Sequence, residues 1–177
     1  IQPGADAVAL NRVLGNSGSE IYGRLRANGQ VFLVNPNGIL FGQNANVNVG
    51  GLVASTLNLS NSDFLAGRTQ FSGTSTAAVS NQGSITTQGG GSVALLGANV
   101  SNQGTITARL GTVALAAGNA VTLDVAGDGL LRVTVDQGAV HALADNGGLL
   151  QADGGQVLMT ARSASQLLPS AVNNTGI

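Results

Sequence analysis

The chain has 177 residues, 43% apolar and 8% charged, where an ordinary globular domain carries about 25% charged residues. Its net charge is −1 and its seven basic residues are arginines scattered singly, which excludes the clustered cationic surface of a nucleic-acid binder. The absence of Cys excludes disulfides and thiolate metal sites, and no run approaches the roughly 20 apolar residues of a membrane-spanning helix.

Only five residues are aromatic: Tyr22, Phe32, Phe41, Phe64 and Phe71. A core must therefore be built from Val, Leu, Ile and Ala in thin, regular layers. The opening residues Ile1-Gln2-Pro3 read as the middle of something, so a processed or truncated start is expected. The first firm element pair is Gln30 to Val34 and Ile39 to Phe41, two short apolar strands. Between them lies the corner Asn35-Pro36-Asn37-Gly38. Pro at the second turn position presets φ, Asn at the third tolerates φ > 0, and Gly at the fourth relieves crowding.

Further along, the sequence repeats itself. Val79-Ser80-Asn81-Gln82-Gly83-Ser84-Ile85-Thr86 returns as Val100-Ser101-Asn102-Gln103-Gly104-Thr105-Ile106-Thr107. Gly91-Ser92-Val93-Ala94-Leu95 returns as Gly111-Thr112-Val113-Ala114-Leu115, and more loosely as Gly155-Gln156-Val157-Leu158-Met159. Asn174-Thr175-Gly176-Ile177 looks like the opening of another unit. Alternating apolar residues within units, punctuated by Asn/Gly turns, predict short half-buried strands. A period of about 20 residues built this way predicts an all-β fold, a parallel β-helix. Eight or nine coils stacked at about 4.8 Å would give a rod of order 40 Å. Asn81 and Asn102 would then stand one above the other, either as an amide ladder or as ordinary turn formers.

Two stretches break the rhythm. Val121 to Val125 and Leu130 to Val135, joined by Ala126-Gly127-Asp128-Gly129, predict an extra-helical hairpin with Asp-Gly at its turn. Ala139 to Ala144, closed by Asn146-Gly147, predicts a short α-helix, and Ala161 to Leu168, ended by Pro169, a second. No linker is visible, so residues 1–177 are read as one domain.

Chemistry is sparse. A β-helical enzyme acting on polysaccharides needs clustered carboxylates and, usually, aromatics that stack on sugars. Asp124, Asp128, Asp136, Asp145 and Asp153 fall on one third of the chain, but beside Gly or Asn in expected turns. Calcium at Asp124 and Asp128 matches neither the EF-hand nor the glycine-rich nonapeptide pattern. His141 is the single histidine, which excludes a two-histidine metal site. Gly89-Gly90-Gly91 lacks the Lys of a phosphate loop. Thr105 and Thr107 are too few for a flat ice-binding face. No catalytic residue, metal or cofactor is expected. A polysaccharide-binding or -cleaving protein stays open as the alternative.

Asn11-Arg12-Val13, the run Ile21 through Ile39, and Gly42, Ala45 and Val47 through Leu57 together resemble the N-terminal secretion domain of filamentous haemagglutinin-like exoproteins. These are two-partner secretion (TPS) proteins, and the branch is similar to the high-molecular-weight adhesins. The resemblance implies a right-handed parallel β-helix with extra-helical strands. It implies the secretion domain of a large exported adhesin, carried through the periplasm to the cell surface or medium. The implied partner is an outer-membrane TpsB transporter of the Omp85 superfamily, acting through its POTRA domains, with β-helix folding nucleated during export. The full-length protein would meet a host or matrix glycan. In this family Asn-Pro-Asn-Gly is associated with secretion competence, here Asn35, Pro36, Asn37 and Gly38. These residues would serve as a recognition element or as a folding corner. Two features depart from the pattern: the N-terminal strands that cap the helix are missing, and so is a second motif, Asn-Pro-Asn-Leu.

Overall fold

A computed structural model of the chain describes residues 4–125, 127, 129–165 and 171–177. Its backbone winds through three parallel sheets, visiting each once per coil. The first coil holds β1 (Val8–Arg12), β2 (Ser19–Ile21) and β3 (Arg24–Arg26); the second holds β4 (Gln30–Val34), β5 (Ile39–Phe41) and β6 (Asn46–Val49). The third starts with β7 (Gly51–Ser55), leaves the helix through α1 (Asn61–Leu65) and β8 (Gln70–Ser72), and returns at β9 (Ala78–Asn81) and β10 (Ser84–Thr87). The fourth is β11 (Val93–Gly97), β12 (Asn99–Asn102) and β13 (Thr105–Ala108). The fifth runs from β14 (Thr112–Ala117) out through β15 (Ala120–Val125) and β16 (Leu131–Gln137), then back to β17 (Leu143–Asn146) and β18 (Leu149–Gln151). The last described coil has β19 (Gln156–Ala161) and β20 (Ala171–Asn174). The fold is a parallel β-helix, as the repeats predict.

The walls stack in chain order: β1-β4-β7-β11-β14-β19, then β2-β5-β9-β12-β17-β20, then β3-β6-β10-β13-β18. The sequence repeats set the register. Val93 and Leu95 lie beside Val113 and Leu115, which lie beside Val157 and Met159. Val79 lies beside Val100, and Ile85 beside Ile106.

Six coils are present among the described residues, not eight or nine. Two stretches of about one period each leave the helix, so chain length overcounts the coils. Leu52 pairs with Val93 and Val113 with Val157, each across one of these excursions. Five steps between coils span about 24 Å rather than 40 Å.

The excursions meet outside the first wall. β15 pairs antiparallel with β16, with Asp124 opposite Arg132, so the expected hairpin is present; Ala126 and Asp128 of its turn lie outside the described residues. β15 also pairs antiparallel with β8, Val121 against Phe71, giving a three-stranded sheet from segments about fifty positions apart. This sheet packs on the first wall and buries both faces of it. One cluster fills the lumen around Phe41, Leu52, Ile85, Leu95, Ile106 and Leu115. A second fills the space outside, around Phe32, Val53, Leu57, Phe71, Leu96 and Leu123. Phe71 stacks on Phe32 at 6.3 Å between ring centroids, and Phe64 meets Phe32 edge-on at 5.8 Å. Consequently β7, β11 and β14 are buried at every position, whereas β12 and β13 alternate.

The helix expected at Ala139 to Ala144 does not form. Ala139 makes a parallel bridge to Ser163, His141 turns the chain at φ +56, and β17 follows as a strand. Pairing of Ala144 with Val100 and of Asn146 with Asn102 outweighs the helix preference of Ala and Leu, worth only tenths of a kcal/mol per residue. The second expected helix is also displaced: Ala161 closes β19, Ser163 bridges Ala139, and residues 166–168 lie outside the described residues. The short helix that does form, α1, starts from the N-cap Ser60, whose hydroxyl accepts from the Asp63 N–H.

Phe71 is 1% exposed. Phe71→Ala should lower the unfolding free energy by about 3–5 kcal/mol, whereas Phe64→Ala, at the rim of the same cluster, should cost clearly less. Urea titration of both variants checks the order.

Candidate functional site

The corner Asn35–Gly38 joins β4 to β5 and lies between the matching turn of the first coil and the returning end of the third coil's excursion. Its own turn closes with the Gly38 N–H donating to the Asn35 carbonyl at 3.2 Å. The left-handed position is Gly38, at φ +109, and not Asn37 as expected. Asn37 contributes through its side chain instead. The Asn35 carboxamide oxygen accepts from the Asn37 N–H at 2.9 Å, which tightens the turn from inside.

The rest of the corner is bound to its neighbours. Asn35 Nδ2 donates to the Ser17 carbonyl at 3.0 Å and to Ser19 Oγ at 2.9 Å, and Asn37 Nδ2 donates to the Gly15 carbonyl at 2.8 Å. The Ser19 N–H donates to the Gly38 carbonyl at 2.9 Å. On the other side Ser75 Oγ donates to the Pro36 carbonyl at 2.5 Å. The burial is unequal: Asn35 is fully buried, while Pro36 and Asn37 are exposed. The corner thus knots three coils together, with Asn35 buried inside it and with Pro36 and Asn37, which also bond to neighbouring coils, facing solvent.

A second polar column runs through the lumen at the turn from the second wall to the third. Asn81 Nδ2 donates to Asn102 Oδ1, Asn102 to Asn146, and Asn146 to Asn174, each at 2.8 Å. Asn81, Asn102 and Asn146 are fully buried. The carboxamides of Asn81, Asn102 and Asn146 also reach the residue two places on; Asn81 Nδ2, for instance, lies 3.3 Å from the Gly83 carbonyl. Asn146 and Asn174 were not anticipated. Asn146-Gly147-Gly148 and Asn174-Thr175-Gly176 carry the same Asn-x-Gly signal as Asn81-Gln82-Gly83; the second reads as the opening of a unit but not as part of the ladder, and the first is obscured because an excursion breaks the spacing.

Arg12 ties the first coil to the excursion that covers it. Its guanidinium donates to the Leu59 carbonyl and, at 2.7 Å, to Asn61 Oδ1. Asp63, two residues further, is held below the usual carboxylate range by the Ser60 hydroxyl at 2.5 Å and then by Arg68 Nε at 2.8 Å. At the first coil the Glu20 carboxylate, by its charge and by accepting from the Tyr22 hydroxyl at 3.2 Å, pushes the phenol up.

The other acids do not converge. Asp136 accepts from Thr122, Asp145 from Gln103 and Asn173, and Asp153 from Gln151. Asp124 faces Arg132 across the hairpin, and Asp128 lies outside the described residues. Among the described residues no three His, Cys, Asp or Glu side chains gather where a metal could be held, and no helix is long and apolar enough to cross a membrane.

A sequence-family model described as the TPS secretion domain matches residues 1–177. The chain belongs to that family. Among solved structures, the HMW1 secretion domain from Haemophilus influenzae is similar to it, with a TM-score of 0.68 and 31% identity over 98% of this chain and 50% of that one. Two heme/hemopexin-binding proteins of Haemophilus influenzae, one from strain Rd, are 53% identical to it over 58 residues. That segment is 33% of this chain and 6% of each relative.

In this TPS domain the buried half of the corner should carry stability and the exposed half should not. Asn35→Ala removes four hydrogen bonds, two donated and two accepted by its carboxamide, and should cost about 2–3 kcal/mol; Asn37→Ala should cost about 1 kcal/mol or less. Thermal and urea unfolding distinguish them. Asp63, with its pKa lowered on folding, contributes stability above the ordinary carboxylate pKa that is lost as pH falls through the folded value. Stability measured between pH 5 and about pH 2 should therefore fall less steeply in Asp63→Asn.

Proposed function

We propose that this domain is the export determinant of a large exoprotein. In this reading a TpsB transporter of the Omp85 superfamily holds it through periplasmic POTRA domains while its coils fold one upon another. The observation that carries the reading is the divided corner at Asn35–Gly38. Its exposed residues, Pro36 and Asn37, are available to a partner, and its buried residue, Asn35, closes the second coil onto the first through its carboxamide and onto the third through its N–H. Recognition and folding corner become two faces of one turn.

The composition supports the same reading. A chain without Cys and with few charges can thread unfolded through a narrow pore without forming disulfides or strong ion pairs on the way. Each coil pairs with its sequence neighbour, so folding can follow the order in which the chain emerges. An edge strand of the first coils, held extended by strand addition to a transporter domain, would keep the chain aligned until then. The exported whole would act at the cell surface as an adhesin meeting a host or matrix glycan.

Export assays with the cognate transporter separate the two halves. Pro36→Ala combined with Asn37→Ala should abolish secretion while the purified domain unfolds at nearly its normal midpoint. Asn35→Ala should lower the midpoint and secretion together. Normal secretion of the Pro36/Asn37 variant would remove the recognition role and leave only the folding corner.

A further inference from the structure

Asparagine is followed by glycine at three places in the sequence: Asn28-Gly29, Asn37-Gly38 and Asn146-Gly147. With no side chain on the second residue, its main-chain nitrogen is unhindered and can attack the preceding carboxamide. The step forms a bond from the glycine nitrogen to the asparagine Cγ and breaks the Cγ–Nδ2 bond. Ammonia leaves with the glycine N–H proton, and water then opens the succinimide ring to aspartate or isoaspartate. Isoaspartate carries the chain through the former side chain and lengthens the backbone by one methylene.

The fold treats one of these pairs unlike the others. Asn28 and Asn37 are exposed, whereas Asn146 is fully buried as a rung of the amide column. Asn146 Oδ1 accepts from Asn102 Nδ2 at 2.8 Å and from the Gly148 N–H at 3.3 Å. Its Nδ2 donates to Asn174 Oδ1 at 2.8 Å and to the Gly148 carbonyl at 3.3 Å. The attacking atom is held as well, since the Gly147 N–H donates to the Asn102 carbonyl at 2.8 Å. Attack would require that bond to break and the carboxamide to leave the column. Asn81 and Asn102 precede Gln, and Asn174 precedes Thr, so the column has one reactive rung.

The product does not fit the place its parent occupies. A Cβ on Gly148 would lie 2.1 Å from the Gly104 carbonyl, so the fifth coil has no slack where it closes on the fourth. An added main-chain methylene two residues earlier displaces that contact. Loss of Nδ2 also removes the donor to Asn174. We infer that Asn146-Gly147 is a modification site open in the unfolded chain and closed by folding. There, succinimide chemistry turns a chain that can fold into one that cannot seat its fifth coil on its fourth. For a chain that travels unfolded, the site sets a chemical limit on how long it can wait. The inference goes beyond partner recognition and needs no transporter.

The test holds the full chain unfolded in guanidinium chloride at mildly alkaline pH for increasing times and then refolds it. Size exclusion separates refolded from unfolded chains, and peptide mapping that distinguishes isoaspartate from aspartate reads each fraction. Isoaspartate at position 146 should be depleted about tenfold or more from the refolded fraction. The folded chain kept at the same pH without denaturant should retain Asn146 while the unfolded chain reacts. Gly147→Ala supplies a second arm, because alanine hinders the attack. Its Cβ would meet the carboxamide end of the exposed Gln103 side chain, which can swing aside. This variant should lose its capacity to refold more slowly than the parent chain. Equal isoaspartate in the two fractions would overturn the block to folding, and equal reaction in folded and unfolded chains would overturn the protection. Equal loss of refolding in Gly147→Ala and its parent would overturn position 146 as the site. Any of these failures leaves recognition at Pro36 and Asn37 standing, and a failed export assay leaves the modification site standing.

Discussion

Close approach of backbone to backbone at the corners is the constraint on which the rest of the molecule depends. Where the second wall turns into the third, Gly83, Gly104, Gly148 and Gly176 stack so tightly that a methyl group on any of the later three would meet the carbonyl of the one before. This contact fixes the register of each coil on its neighbour. Once the register is fixed, Asn81, Asn102, Asn146 and Asn174 fall into one file and their carboxamides satisfy one another inside the lumen. A buried carboxamide without such a partner would cost roughly 1–3 kcal/mol, so the file penalises any slipped arrangement. Glycine excludes wrong registers by bulk, and asparagine excludes them by leaving polar groups unpaired.

A stack of thin coils has little interior, and this chain enlarges it by adding a second core outside the first wall. Three of its five aromatic residues, Phe32, Phe64 and Phe71, are spent there and not in the lumen. Two excursions supply the cover and join each other through β8 and β15. They therefore bridge the third coil to the fifth without passing through the fourth. Arg12, reaching from the first coil to Leu59 and Asn61, extends this outer brace to the start of the described fold. The result is a β-helix held from inside by column contacts and along one flank by a strap.

The corner at Asn35–Gly38 belongs to both systems. Its backbone continues the first wall, with the Asn35 N–H donating to the Ser55 carbonyl, and its side chains close the gap to the preceding turn. Asn35, so placed, is hard to alter without loosening the early coils, whereas Pro36 and Asn37 are exposed. Membership of the TPS secretion family and the likeness to the HMW1 secretion domain agree with a domain whose surface carries few charged groups and no gathered acids among the described residues. Within such a surface, shape and exposed backbone edges carry more information than charge.

The sequence by itself determined the period, the strand faces and the hairpin, because each is a local pattern. The 20- and 21-residue echoes at Val93/Val113 and Asn81/Asn102 become hydrogen-bonded partners directly. Alternation at β12 and β13 marks lumen and solvent without any knowledge of neighbours. Half of the amide file was legible and half was not: an excursion separates Asn102 from Asn146, and counting residues cannot see where a chain leaves the stack and comes back. The same blindness produced too many coils. Tertiary structure alone decided that Ala139 to Ala144 carries a turn and a strand, since pairing with the fourth coil outweighs a weak local helix preference. It alone placed φ > 0 at Gly38 and not Asn37, because Asn37 is held by Gly15 and Asn35, which lie on turns of two different coils. Patterns that repeat within one strand survive in one dimension; contacts between segments that the chain brings together only by folding do not.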